Sequence, residues 1–499
     1  MFAPPSLRPL AGLLVLAAPA AAQCVPEVIP APETPRHGLF ASTIAARADA
    51  LLVGAPLSDA VHAFRYAPGE GWTPAGILRG TADEYFGQSV ALSPVGPERG
   101  LVGAIFGGFG GAAYVIEPAS EGWAITHTLA AFDASMGDKF GEEVDLRGGR
   151  ALVAAPMKDN GAVYVFEEAG GDWNQEAVLT HRGPGFSLSF GSAVALSSEA
   201  VAVGAPGSNE VASLAGAVYV FEQEGGAWTQ AARFPGELAA WQFGWAVDVE
   251  GDRLAASAPS ARQPSGSSGQ VNVYRRVAGD WIPEQVLTVP GSRFLGSSLA
   301  LQGDALVVGD SGAGAGAGRL HVFRYGGERW ELLVSHRPVT GLPGGQLGEA
   351  AAVSETHAFG GAPQNLAAAA GQGVVWAAPL EHRAMLVPRP RSPLAGSRLR
   401  HRFELESCPA LPDEPYVILG SLSEPAPPLG LGLSTAPPFV GPIGVTDSYG
   451  LASASVVLPA GFSLFAGGPT AVCAAIAFDE PGVGIAAAVS NAARLDAFR

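Results

Sequence analysis

Gly309-Asp310-Ser311-Gly312 has the form of the phrase that presents a serine nucleophile in trypsin-like proteases. A serine nucleophile needs a base oriented by a third group, and nothing around this phrase supplies one. Three acidic turns could offer hard oxygens to a cation: Asp145-Leu146-Arg147-Gly148-Gly149, Asp248-Val249-Glu250-Gly251-Asp252 and Gln302-Gly303-Asp304. A calcium loop needs several spaced carboxylates around one ion. None of the three has that spacing, and Arg147 and Arg253 stand beside two of them. They are expected to be plain hairpin turns, with no calcium and no other cofactor. The glycine-rich run 312–318 lacks the Lys-Ser/Thr of a phosphate-binding loop. The nine histidines are scattered, with no His-Glu-x-x-His and no close Cys/His set for zinc. One series is different. His62, Tyr114, Tyr164, Tyr219, Asn272, His321 and Trp376 hold the same place in seven similar segments. Packing between neighbours, with each polar tip finding a partner, is the simpler role. The functional alternative is a ligand-facing polar surface at the members that depart from the aromatic pattern: His62, Asn272 and His321.

The elements that carry this series repeat at about fifty residues, and a repeat of that length governs the fold. Trp72, Trp123, Trp173, Trp228, Trp281 and Trp330 are spaced by 51, 50, 55, 53 and 49 residues. Phe86-Gly87, Phe140-Gly141, Phe190-Gly191, Phe243-Gly244, Leu295-Gly296 and Leu347-Gly348 keep the same rhythm, with Gly38-Leu39-Phe40 as a worn first copy. Each copy reads as four short strands bounded by Gly, Pro, Asn and Asp, with no competing helical period. Four strands per copy, repeated radially, make a propeller blade. The expected fold is all-β: a seven-bladed β-propeller followed by a small β-sandwich.

The ends of the array predict how the ring closes. The seventh copy has Met385 where its marker Trp should fall. Counting back from Phe40 by the usual 14 to 17 residues between a marker Trp and the next Phe-Gly lands on Gln23 to Pro26. Residues 24–29 are therefore in register to supply the missing outer strand. Closure would remove sheet edges open to aggregation.

These linked positions resemble the FG-GAP repeat proteins, whose propeller is related to the one at the head of integrin α chains. The resemblance spans residues 24–388 and is strongest to a bacterial secreted subgroup, where the repeat ends in a Tyr-Val-Phe strand and a Trp. It implies that the loops between second and third strands face ligand. Here these are 107–110, 207–214, 260–268, 311–317 and 364–370, and they vary most between copies.

Residues 1–22 read as a secretory signal peptide, with Arg8, an apolar run from Leu10 to Ala18, and Ala20-Ala21-Ala22 before the cut. Gln23 is not the small residue that a lipoprotein signal needs before Cys24. No other segment reads as a membrane-spanning helix. The formal charge of −17 disfavours nucleic acid and anionic membrane as partners. Of three cysteines, Cys408 and Cys473 could pair, leaving Cys24 unpaired.

The domains read as 1–22 signal peptide, 23–384 propeller, 385–394 Pro/Arg linker and 395–499 C-terminal β-sandwich. The last is similar to a module found on secreted bacterial repeat proteins, through Val417-Ile418-Leu419-Gly420-Ser421 and Val489-Ser490-Asn491-Ala492. The expected function is non-catalytic: a secreted or cell-surface binding and scaffold protein that recognises an extracellular protein or polysaccharide. The alternative is a glycan-active enzyme, which would need carboxylates converging at the ring's centre.

Overall fold

A computed structural model describes residues 26–32, 38–120, 122–182, 187–338, 345–364 and 373–380, and the backbone of seven strands between 384 and 494. The proposed signal peptide, Cys24 and Cys408 lie outside the described residues, as does the side chain of Cys473. The chain divides into a unit of Pro26–Glu381 and one that holds His382–Arg499.

The first unit is a β-propeller whose described strands pair in seven four-stranded antiparallel sets, numbered as sheets 1 to 7. The fifth and sixth are joined into one eight-stranded sheet where Ser268 and Gly269 pair in parallel with Arg293 and Leu295. Sheet 3 shows the pattern, with strands Val144–Arg147, Arg150–Ala155, Ala162–Ala169 and Asp172–Leu179 paired in chain order. Its second strand is almost wholly buried, and its fourth alternates exposed and half-buried residues. That gradient follows from position, since middle strands are covered on both faces and the outer strand on one. A bulge recurs between third and fourth strands at Ala63/Phe64, Val115/Ile116, Val165/Phe166, Val220/Phe221, Val273/Tyr274 and Val322/Phe323. Each bends the outer strand at the same point.

The Phe-Gly signature is a turn with a steric cause. The residue before the Phe has positive φ in all seven sheets: Leu39, Tyr85, Lys139, Ser189, Gln242, Phe294 and Gln346. So does the residue after it, at φ +83° to +94° for the six glycines and +69° for Ala41. Sheet 1 thus carries Phe40-Ala41 where the others carry Phe-Gly or, in sheets 6 and 7, Leu-Gly. The Phe between them is driven into the core, where Phe40, Phe86, Phe140 and Phe190 are buried.

The glycine of the Gly-Ala-Pro phrase makes the contact between sheets. A Cβ on Gly54, Gly103, Gly204 or Gly309 would strike the carbonyl of Gly87, Gly141, Gly244 or Gly348 in the next sheet. A Cβ on Gly361 of the seventh sheet would strike the carbonyl of Ala41 in the first. The last sheet therefore meets the first as sheets 1, 2, 4 and 6 meet their neighbours; sheets 3 and 5 carry Ala154 and Ser257 at this place. The marker Trp has a matching role: Arg99 stacks over Trp173, Arg150 over Trp228 and Arg253 over Trp330, each across a sheet boundary.

The seventh sheet takes Ala350–Val353, His357–Ala362 and Val374–Pro379 from the end of the array, and Glu27–Pro30 as its outer strand. Ile29 and Ala31 join a core cluster with Phe40, Leu51, Trp72 and Phe359, which draws on both ends of the array.

In the second unit, Ala384–Arg389, Arg400–Ser407 and Leu451–Val457 form one antiparallel sheet. Phe439–Val445, Pro415–Leu422, Ala471–Ala477 and Ala493–Arg494 form another. Residues 385–389, expected within a linker, are instead part of a strand. Its place at the edge of the sheet accommodates Pro388, because an edge strand can lack an N–H donor.

Candidate functional site

Three places in the propeller bring chemically capable side chains together. The central channel, of about 230 Å³, is lined by the innermost strands of all seven sheets. Glu143, Asp145, Asp248 and Glu250 reach it with Arg147, although they come from sheets about a hundred residues apart in sequence. The Arg147 guanidinium grips Glu250 with two bonds of 2.9 and 3.4 Å. Asp145 accepts main-chain N–H bonds from Leu146 (2.7 Å) and from Leu196 of the next sheet (2.6 Å). Asp248 repeats this with Val249 (2.7 Å) and Leu301 (2.6 Å). These two carboxylates are clasps between neighbouring inner strands. Burial pushes the Glu143 carboxyl up to about 8, helped by the charges of Glu142 and Asp145. Burial also raises Asp145 to about 6 and Asp248 to about 7.

The acidic turns are tight hairpins. Gly148, Gly251 and Gly303 sit in them at φ near +60°, between strand partners Arg147 and Arg150, Glu250 and Arg253, and Gln302 and Ala305. Among the described residues no group of three or more His, Cys, Asp or Glu side chains is placed to hold a metal ion.

Gly309-Asp310-Ser311 is the sixth sheet's version of Gly-Ala-Pro. Asp310 is fully buried and accepts the Arg293 N–H at 3.0 Å. Its other oxygen lies 3.6 Å from Nε2 of His321, whose Nδ1 is 2.7 Å from Oγ of Ser335. Ser311 donates its main-chain N–H to Oγ of Ser297. Among the described residues no histidine is shown hydrogen-bonded to the Ser311 hydroxyl.

His62 and His321 are fully enclosed, so neither faces a ligand. Strand alternation turns this position into the sheet interface. There His62 meets Phe40 edge-on at 5.2 Å, as Tyr114 meets Phe86, Tyr164 meets Phe140 and Tyr219 meets Phe190 at 5.3 to 5.5 Å. The tyrosine tips find acids: Tyr164 donates to Asp133 at 2.8 Å and Tyr114 to Glu84 at 3.0 Å. Burial holds His62 down at about 4, with Arg79 adding to it, so its ring is neutral. Asn272 alone of the three lines an opening, a cleft of about 310 Å³ in the fifth sheet that also contains Trp241, Phe243 and Tyr274.

The loops at 107–110, 207–214, 260–268 and 311–317 share one face with the connectors entering the next sheet, while residues 365–370 of the last such loop lie outside the described residues. Phe140 N–H bonds Gly110 O, Ala240 bonds Ser213, Gln242 bonds Leu214 and Gln346 bonds Gly316, all at 2.9 to 3.0 Å. The Ser260 hydroxyl donates to Gln242 Oε1 at 2.8 Å. Among the described residues, every exposed Phe, Met and Trp lies on these loops, these connectors or the first residues after a Phe-Gly turn: Phe106, Phe109, Phe132, Met136, Met157, Trp245 and Phe294. Phe132 and Met136 are 79% and 82% exposed. The sequence offered a partial signal for this face in its loop variation. It offered none for the channel carboxylates, which meet only in space.

The FG-GAP repeat family matches residues 123–166 and 173–221. No curated protein matches the chain. Among solved structures, it is similar to a protein from Lactobacillus plantarum, at 16% identity and a TM-score of 0.40, over 60% of this chain and 85% of that one. It is also similar to a candidate 6-phosphogluconolactonase from Bacteroides fragilis, at 12% identity and a TM-score of 0.43, over 62% of this chain and 86% of that one. The matched repeat segments run from the marker Trp of one sheet to the Tyr-Val-Phe strand of the next, and over residues 123–166 and 173–221 this chain carries FG-GAP repeats.

Proposed function

We propose that this is a secreted or cell-surface recognition protein without catalytic activity, which docks an extracellular protein or polysaccharide on the loop face of its propeller. The observation that carries the reading is the gathering of exposed Phe, Met and Trp side chains on that face. Isolated apolar residues on a surface are ordinary, and exposed Ile77, Ile125 and Ile282 stand on outer strands, but Phe, Met and Trp are the types enriched where proteins meet partners. The rigid sheets hold the loops at their bases and leave the tips free to specify a partner. Changing Phe109, Phe132 and Met136 together to Ser tests it. Capture of a partner from culture medium or cell envelope should be lost, with the melting temperature unchanged. Capture at the wild-type level would move the site elsewhere.

A second reading, a glycan-active enzyme, is favoured by one feature of the channel. Glu143 is a carboxyl that stays protonated at neutral pH, beside Asp145, and such pairs serve as acid and base. Release of reducing sugar from soluble polysaccharides, abolished by Glu143→Gln, would support it. No turnover would leave the recognition reading standing.

A further inference from the structure

We propose that the cleft in the fifth sheet is a subsite for one uncharged pyranose ring of a glycan. The cleft exists because a ring is missing. Tyr114, Tyr164 and Tyr219 fill the corresponding space by packing on Phe86, Phe140 and Phe190. In the fifth sheet the partner of Phe243 is Asn272, and about 310 Å³ is left open beside it. The residue two before the Phe also changes. It is Glu84 in the second sheet, where it takes the Tyr114 hydroxyl, and Trp241 in the fifth. An aromatic–acid pair closes the interface in one sheet, and an amide and an indole line an opening in the other.

The free valences of the lining define the ligand. Asn272 Oδ1 is taken by Gln270 Nε2 at 3.1 Å, which leaves the Asn272 amide hydrogens to donate. Tyr274 is held flat against Phe234, with ring centres 4.0 Å apart, and its hydroxyl has no partner among the described residues. Glu237 is exposed and supplies a carboxylate. Glu284 takes the Trp330 indole N–H and the Arg253 guanidinium on one oxygen, and Gln285 bonds the Trp330 main chain through both ends of its amide. One donor, one acceptor and one hydroxyl beside an indole suit a ring with an apolar C–H face and a rim of hydroxyls. Sites of this kind are mostly apolar, with a few placed polar groups. No Lys, Arg or His is among the described residues that line the cleft, so a phosphate or uronate would meet the carboxylates of Glu237 and Glu284 and be repelled. The loops at 207–214 and 260–268 hydrogen-bond to Ala240 and Gln242 on either side of Trp241, so the connector that carries the indole is held in place.

The proposal is independent of the apolar loop tips, because its variants touch none of them. The test is saturation-transfer NMR and tryptophan fluorescence on the full chain with cellohexaose, xylohexaose, mannohexaose and maltohexaose. Each sugar is titrated to about 10 mM, where even a millimolar Kd gives a saturable response. At least one hexasaccharide should bind. Asn272→Tyr, which installs the side chain of the sister sheets, should abolish binding and keep the melting temperature. Trp241→Ala should weaken binding about tenfold or more. The proposal is overturned if none of the four sugars binds, if Asn272→Tyr binds as tightly as wild type, or if spermidine binds the cleft and the neutral sugars do not.

Discussion

The carboxylate of Glu27 accepts the main-chain N–H of Trp72 with both oxygens, at 3.1 and 3.2 Å. Gln285 makes the same bond to Trp330 at 2.8 Å, from the outer strand of one sheet to the marker Trp of the next. Glu27 belongs to the first described strand of the chain and completes the last sheet. The bond that joins the ring's two ends is thus a copy of a bond used inside it.

Deleting residues 24–32 should lower the melting temperature sharply. It removes Glu27–Pro30, takes buried Ile29 and Ala31 from the cluster that spans both ends, and bares the edge of Val374–Pro379. Glu27→Ala alone should cost about 1–2 kcal/mol, as loss of a hydrogen bond to a charged group does. Thermal melts check both, and a truncated protein that melts with wild type would refute the closure.

Ala41 holds a left-handed conformation that its six counterparts reach as glycine. Ala41→Gly should therefore stabilise the protein by about 0.5–1 kcal/mol, the strain relieved less the added freedom of the unfolded chain. Gly103→Ala should do the reverse. Its methyl would strike the Gly141 carbonyl of the next sheet, and such overpacking costs about 1–3 kcal/mol. Denaturant midpoints of the two variants should lie on opposite sides of wild type.

Stability should fall as pH rises from 6.5 to 8.5. Glu143, Asp248 and Asp145 have carboxyls raised to about 8, 7 and 6 by burial. The folded state keeps protons that the unfolded state releases near 4, so this stabilisation is full in acid and is lost through those values. His62 and His336 act oppositely. Both are depressed to about 4 by burial, so their destabilising effect builds up as pH drops from 6.5 to 4 and is absent above 6.5. Above 6.5 only the carboxyls remain. Melting temperatures across this range should decline and then level, and Glu143→Gln should flatten the decline. A flat wild-type profile would contradict the channel's electrostatics.

Thermal melts in EDTA and in millimolar calcium should coincide, since the Asp145 and Asp248 carboxylates are engaged by main-chain N–H groups. A large upward shift with calcium, as a ligand of the folded state produces, would show a site that these turns do not account for.

Much of the fold was legible because the repeat writes each contact several times. The Phe-Gly pair, the Gly-Ala-Pro glycine and the marker Trp are local demands of a turn, a close approach and a cation stack, so each leaves a residue type at a fixed place. The latch strand followed from register alone, because a missing Trp in the last copy and a spare strand before the first differ by one blade. The site was not legible in this way. Alternation placed His62, Asn272 and His321 at one repeat position, but only packing decided that Phe40 would cover His62 and that Asn272 would leave room beside Phe243. The meeting of Glu143, Asp145, Asp248 and Glu250 depends on closing a ring from strands about a hundred residues apart, and separations of that kind leave no pattern along the chain. Local sterics thus determined the blade, while closure of the ring decided which side chains share a space.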